Sequence, residues 1–219
     1  AVRGRRADRR AIIWLSGYKS SMDSFKATAV SRWAAEKDYP LIRFDYSGTG
    51  LSGGDFEQSV ISDWHEEART VIAEFAPKGA VVVGSSLGAW IALLAMRHLT
   101  AHGMKSLPKE IILVAPAVDF TERLLWNAFD EEIKRNIREQ GVWYRPTRLG
   151  DTQPFTLRLI EDGRQNLLLD DPLSAPVPIH ILHGMNDQEI SWRYTLDLVS
   201  HLNGPSIFLT LIKGADHVL

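Results

Sequence analysis

Cysteine is absent from all 219 residues of the chain. That rules out a disulfide framework, a thiolate nucleophile and a cysteine-ligated metal, and it fits a reducing compartment. No apolar stretch approaches the ~20 residues that cross a bilayer, so no transmembrane segment is expected. Neither sign of charge is in excess: 25 Lys and Arg stand against 27 Asp and Glu, a formal net charge of −2. Nucleic acid is therefore not an expected partner, because phosphate contacts need a concentrated basic surface. Internal repeats and low-complexity tracts are missing too, and no motif suggests a metal site or a cofactor. What remains is ordinary for a globular protein, with 45% hydrophobic and 24% charged residues. Residues 1–219 read as a single domain with one sizeable core. The start, "AVRGRRADRR", reads as a solvated lead-in to the first strand. A cytoplasmic location is expected. The alternative is the mitochondrial matrix, with those arginines the remnant of a removed transit peptide.

Short apolar runs alternate with helical periodicity. Strands are expected at 11–15, 40–46, 80–84, 110–116, 178–184 and 206–212. Helices are expected at 23–38, 59–76 and 87–99 and near 192–202. The helix at 59–76 carries Ile61, Trp64, Ala68, Val71, Ile72 and Phe75 on one face. Several strands are apolar on both faces, which predicts a mainly parallel sheet between helical layers. Residues 118–175 break the rhythm with two helical patterns followed by "GVWYRPTRLGD". They read as a helical lid inserted over the sheet edge.

In such a sheet, ligands meet the chain at the carboxyl ends of the strands. "VVVGSSLGAW" lies at such an end, and Gly84-Ser85-Ser86-Leu87-Gly88 fits G-x-S-x-G. A sharp strand-to-helix turn would raise Ser86 at its tip, and side chains two positions either side would collide with the neighbouring strand and helix. The plainer reading is a turn with one serine as helix cap. A serine hydroxyl needs a base, and the base an orienting acid, in the chain order Ser, acid, His. Of the seven histidines, His217 follows the last strand in a loop over the carboxyl edge and is the candidate base. His183, at a strand end, is a candidate supporting residue. Asp187, just beyond the strand ending at His183, is the candidate acid, and Asp119 competes for that role. The backbone N–H groups of Leu87 and Tyr18 are candidates for the oxyanion hole. Trp126, Trp143 and Trp192 are candidate substrate-binding residues, with Phe129 and Tyr144 beside them in a possible acyl pocket. Arg145 and Arg148 either meet an anionic leaving group or are solvated.

Two rivals come from other classes. Gly48-Thr49-Gly50-Leu51-Ser52-Gly53 spells G-x-G-x-x-G after a strand, a dinucleotide fingerprint, although no helix opens within it. The other rival is a hydrolase scaffold that binds without catalysing.

Five motifs carry a resemblance: "WLSGYKS", "RFDYSGTGLSGG", "VGSSLG", "LHGMNDQEI" and "GADH", in that order from about residue 11 to the end. In them the chain resembles the α/β-hydrolase superfamily. "IRFDYSGTG", "VGSSLGAW", "GVW" and "LHGMND" are more closely similar to the α/β-hydrolase domain-containing protein 10 group. The resemblance implies an α/β-hydrolase fold and a carboxylesterase or acyl thioesterase without cofactor, acting through an acyl-enzyme on Ser86. Its substrates would be acyl-protein thioesters, acyl glucuronides or small esters. The resemblance also implies a final helix after the histidine.

Overall fold

The computed structural model describes residues 2–3, 10–104, 108–147 and 150–219. Its centre is a seven-stranded sheet. In chain order its strands are β1 (Val2–Arg3), β2 (Ala11–Leu15), β3 (Leu41–Arg43), β4 (Ala80–Ser85), β5 (Glu110–Val114), β9 (Ile179–Gly184) and β11 (Ile207–Ile212). The spatial order is β1-β3-β2-β4-β5-β9-β11. β1 runs antiparallel to β3 and the other neighbours pair in parallel. From β2 the chain goes one way to β3, then returns past β2 to β4 and proceeds the other way. The direction of winding therefore reverses between β2 and β4, and the crevice at their carboxyl ends is where open α/β sheets take ligands.

Strand alternation divides the core. Ile13 and Leu15 of β2 join Val82, Ile111, Leu113, Ile179 and Ile181 on one face, against α2 (Ile61–Phe75) and α3 (Leu87–Ala101). Ile12 and Trp14 turn to the other face with Val83 and Val114, where Ala27 and Ala34 of α1 (Phe25–Glu36) cover them. Of the stripe its periodicity predicted, α2 buries Ile61, Trp64, Ala68 and Ile72, while Val71 is half-buried and Phe75, at the helix end, is 53% exposed. α3 is buried from Leu87 through Met96 and again at Leu99, as an all-round apolar helix must be. The strand expected over 40–46 is shorter, ending at Arg43, because the chain turns away around Asp45.

Residues 118–175 contain more than the two helical patterns. A π-helical turn, Thr121–Trp126, precedes α4 (Glu131–Gln140). Then come an antiparallel hairpin, β6 (Val142–Pro146) with β7 (Thr152–Thr156), and α5 (Leu157–Gln165). α4 is capped by Asp130, whose side chain accepts the Ile133 N–H at 2.8 Å, and ends on Gly141 at φ 80°. Thr156 caps α5 by accepting the Leu159 N–H at 3.1 Å. A short parallel pair, β8 (Leu173–Ser174) with β10 (Leu202–Asn203), and α6 (Trp192–His201) complete the structure. The hairpin ties back to the main body beside the crevice: the Tyr18 hydroxyl donates to the Pro154 carbonyl, and Lys19 Nζ to Thr152 O at 2.6 Å.

Candidate active site

β4 ends at Ser85, which is 2% exposed, and α3 starts at Leu87. Ser86 between them has φ 54° and ψ −116°, a strained conformation for a residue with a Cβ, costing about 1–3 kcal/mol. The flanking glycines are what the turn requires. A Cβ on Gly84 would lie 2.3 Å from Gly88 O, and one on Gly88 would lie 2.1 Å from Leu15 O. The Ser86 N–H donates to Val114 O at 2.9 Å, which holds the corner to β5. Ser86 is partly open and lines a cavity of about 670 Å³ at the β2–β4 crevice.

His217 lines the same cavity. Its Nδ1 is 2.7 Å from Asp187 Oδ2. The Glu189 and Ile190 N–H groups donate to Asp187 Oδ1 at 2.8 and 2.9 Å. Burial disfavours the Asp187 anion, but hydrogen bonds from His183, His217 and the Ile190 N–H outweigh it and hold the carboxyl well below the usual carboxylate range. Asp187 is thus an acceptor only, so the proton on the shared hydrogen bond belongs to His217 Nδ1 and Nε2 is left as the basic nitrogen.

His183, fully buried, supports that carboxylate. Its Nε2 lies 3.1 Å from Asp187 Oδ2 and 3.0 Å from Ile190 O, two acceptors, so Nε2 carries the hydrogen. Its Nδ1 then accepts from the Thr195 hydroxyl at 2.6 Å. Gly184 has a part that sequence reasoning missed. A Cβ there would lie 2.4 Å from both Ala215 O and Asp216 O, so the histidine loop rests directly on the end of β9.

Asp119, the competing acid, is committed elsewhere. Its buried carboxylate accepts the Leu168 N–H at 2.9 and 3.0 Å and the Leu169 N–H at 2.8 Å, with Arg123 Nε at 3.6 Å. It joins the two ends of the 119–168 excursion.

Leu87 is the first residue of α3, where an N–H has no acceptor within the helix. Tyr18 follows Gly17, whose added Cβ would lie 3.4 Å from the Ser86 Cβ, so the β2 loop passes directly beside the serine. The Tyr18 ring is immobilised by stacking on Phe155 (centroids 5.2 Å apart) and by edge contacts with Phe56 and Phe120. Burial, with the Glu57 charge adding, pushes its hydroxyl above the ordinary phenol range, so it stays a donor to Pro154. This ring fixes the backbone that carries the Tyr18 N–H.

The tryptophans sit differently from expectation: none of Trp126, Trp143 and Trp192 lines the cavity. Trp126 lies under cationic side chains, with Arg164 4.8 Å and Arg138 5.1 Å from its ring centroid. Trp143 packs on Phe129 and, one step behind the wall, on Phe155. Trp192 starts α6 and has Arg193 over its ring. Phe129 and Tyr144 are also outside, and the Tyr144 hydroxyl donates to Glu57. The apolar wall is instead made by Phe120, Leu124, Leu125, Phe155 and Ala117. Arg145 is in the wall, donating to Gln153 Oε1 at 2.8 Å and pairing with Glu189 at 3.3 Å. Arg148 lies outside the described residues.

The glycine fingerprint folds onto its own chain. A Cβ on Gly50 would lie 2.2 Å from the Asp45 carboxylate, and one on Gly48 2.5 Å from Phe56 Cα. Asp45 Oδ1 and Oδ2 accept the Met22 and Leu51 N–H groups at 2.6 and 2.9 Å. The space that a pyrophosphate would need beside these glycines is filled by Asp45 and Phe56, and no helix starts until Ile61. Among the described residues, no cluster of three or more His, Asp or Glu is placed to hold a metal ion.

A mainly parallel sheet with a strained serine corner at its switch point and a histidine–aspartate pair facing the same cavity is the architecture of an α/β hydrolase. Residues 12–219 match the Alpha/beta hydrolase family, and the chain belongs to it. It is similar to the human mitochondrial palmitoyl-protein thioesterase ABHD10, at 28% identity over 210 residues, 94% of this chain and 66% of that protein. The chain thus spans slightly less than two thirds of that relative. Among solved structures, a protein of Agrobacterium vitis S4 superposes with a TM-score of 0.94 at 37% identity, covering 99% of this chain and 84% of that one. Mouse alpha/beta hydrolase domain-containing protein 10 gives a TM-score of 0.85 at 27% identity, covering 100% and 85%.

Proposed function

We propose that this protein is a serine hydrolase that cleaves carboxylic esters or thioesters of small to medium acyl groups through an acyl-enzyme on Ser86. The observation that carries the reading is the 2.7 Å contact between His217 Nδ1 and Asp187, facing the cavity that Ser86 also lines. His217 Nε2 takes the Ser86 hydroxyl proton as Oγ bonds to the acyl carbon. Asp187 holds the ring in the tautomer that permits this and balances the imidazolium that forms. The tetrahedral oxyanion is received by the N–H groups of Leu87 and Tyr18, each worth about 3 kcal/mol in comparable sites. His217 then returns the proton to the departing alkoxide or thiolate. In the second half, water gives a proton to His217 and its oxygen to the acyl carbon, and the proton passes back to Ser86.

The segment 118–175 acts as the lid over this chemistry. It supplies Phe120, Leu124, Leu125 and Phe155 for the acyl chain and carries Arg145 at the polar end of the cavity. The thioesterase name of the similar human protein supports thioesters, including acylated proteins, among the substrates. Its mitochondrial designation supports a mitochondrial location over the cytoplasmic one. No helix among the described residues is long and apolar enough to cross a membrane.

The test is a fluorophosphonate probe followed by intact-mass analysis, beside hydrolysis of p-nitrophenyl esters of increasing chain length and an acyl thioester. Labelling of the wild type, its loss in Ser86→Ala and turnover of at least one substrate class are expected. Undiminished ester turnover by Ser86→Ala refutes the assignment, and an inert, unlabelled wild type favours a binding scaffold.

A further inference from the structure

Lys26 is the second residue of α1, and its partly buried side chain lines the cavity that Ser86 and His217 also line. Its Nζ donates to the His217 carbonyl at 2.9 Å, across 191 residues of sequence. Among the described residues, no other side chain donates a hydrogen bond to the backbone of His217. Burial lowers the Lys26 pKa, while Asp187 and Asp216 act in the opposite sense, so this ammonium is kept partly desolvated beside the acid and the histidine loop. An exposed position one turn along would have avoided that cost.

The loop it holds needs holding. Lys213, Gly214, Asp216 and Val218 are exposed. From β9 the loop is supported by the Asn186 N–H, which donates to Ala215 O at 2.8 Å, and by contact with Gly184. Both supports act before residue 217. Asp187 fixes the Nδ1 edge of the ring, but a ring held by one hydrogen bond on a free backbone can still tilt about it. Nε2 is the far edge, so such a tilt changes the direction in which it points.

We propose that Lys26 is a positioning residue for the hydrolytic reaction, a clasp from α1 that fixes the His217 peptide and so the direction in which Nε2 points. The inference rests on the serine-hydrolase reading above. It differs from a merely structural role for Lys26, which would alter stability but not the rate of the folded enzyme.

The variants are Lys26→Met, which keeps the stem without the donor, and Lys26→Arg, which restores a cationic donor. Labelling rate by the fluorophosphonate, kcat and KM on one ester, and thermal stability are measured for each. Lys26→Met is expected to lose about 10- to 100-fold in labelling rate and kcat, the scale of an ångström-sized misplacement, with KM nearly unchanged. Lys26→Arg is expected to recover most of the loss. Should Lys26→Met fail to fold, Lys26→Gln, which retains an N–H donor at shorter reach, is expected to lie between it and the wild type. Wild-type labelling by a folded Lys26→Met or Lys26→Gln overturns the proposal. So does an effect confined to KM, or a rate loss no larger than the unfolded fraction. A wild type that neither labels nor hydrolyses removes the hydrolase reading and the clasp together, whereas a labelled wild type with an indifferent Lys26→Met removes the clasp alone.

Discussion

Gly88→Ala tests the corner that the proposed chemistry depends on. The new Cβ would lie 2.1 Å from Leu15 O and 2.7 Å from Ser16 O. An ordinary carbon–oxygen contact is about 3.3 Å, so α3 and the end of β2 must separate by about 1.2 Å. Both obstructing atoms are backbone, so no side-chain rotation relieves the clash. The displaced parts matter: α3 begins with the Leu87 N–H directly after Ser86, and Leu15 leads through Ser16 and Gly17 to the Tyr18 N–H. A shift of this size costs about 10²-fold in rate, or about 2.7 kcal/mol in the barrier. Overpacking costs about 1–3 kcal/mol of stability. At about 2–4 °C per kcal/mol for a chain of this size, the melting temperature should fall by about 2–12 °C. The assay is fluorophosphonate labelling well below the measured transition, beside Gly53→Ala, where the added Cβ meets nothing within 4 Å and both readouts should stay at wild type. A folded Gly88→Ala that labels at the wild-type rate would refute the claim that the close β2–α3 approach sets the geometry of the site.

Four further outcomes follow from the same structure. Asp187→Asn should lower kcat by about 10⁴-fold, as loss of the tautomer-fixing acid does in comparable triads. Asp119→Asn, by disturbing the carboxylate on the Leu168 and Leu169 N–H groups, should cost about 1–3 kcal/mol of stability while labelling persists; the opposite pattern would move the acid to Asp119. Leu124→Trp should narrow the apolar end of the cavity and shift p-nitrophenyl ester preference towards shorter chains, whereas Trp126→Ala should leave the chain-length profile unchanged. A changed profile in Trp126→Ala alone would place acyl binding on the outer face. Burial, with His98, Arg69 and Arg97 adding, lowers the pKa of His65 from 6.5 to about 4 in the folded state. Between those values the unfolded chain binds more protons, so stability should fall as pH drops from 6.5 towards 4. Melting curves across that window should be flatter for His65→Gln; an equal slope would remove His65 as the source.

Much of the fold was legible because the buried strands are short β-branched runs bounded by Gly and Pro. β4, "AVVVGS", and β9, "IHILHG", can hardly be solvated in any register. The serine corner was legible for a different reason. Two glycines flank it because two backbones pass within van der Waals reach, and that demand leaves a mark in the sequence whatever the corner does. The glycine run 48–53 misleads by the same logic: it marks a tight approach to Asp45 and Phe56, not a ligand. The β6–β7 hairpin was hidden because Pro146 and Pro154 weaken a strand reading. A two-stranded ribbon has a free edge on each side, so proline is tolerated there. Lys26 and Gly184 carry no local signal, since their partners lie 191 and about 30 residues away.

The tryptophans show why a cavity wall is harder to read than a core. Bulk and aromaticity predict that a residue will be covered, and all three are at least half-buried, but they do not predict what covers it. In the hairpin, Trp143 and Phe155 are cross-strand partners, as are Arg145 and Gln153. All four side chains share one face by the two-residue period of the strand. Yet of the four only Phe155, Arg145 and Gln153 reach the cavity, while Trp143, level with Phe155 across the ribbon, packs instead against Phe155 and Phe129. Trp126 and Leu125 are adjacent on the π-helical turn yet meet different surroundings, one beneath Arg138 and Arg164 and the other lining the cavity. Access to the cavity is therefore decided by where each element crosses the carboxyl edge of the sheet. That crossing is set by Asp119 binding the Leu168 and Leu169 N–H groups, and by Tyr18 and Lys19 holding the hairpin carbonyls. Substitutions at these anchors should consequently change the acyl preference of the enzyme more than substitution of any tryptophan.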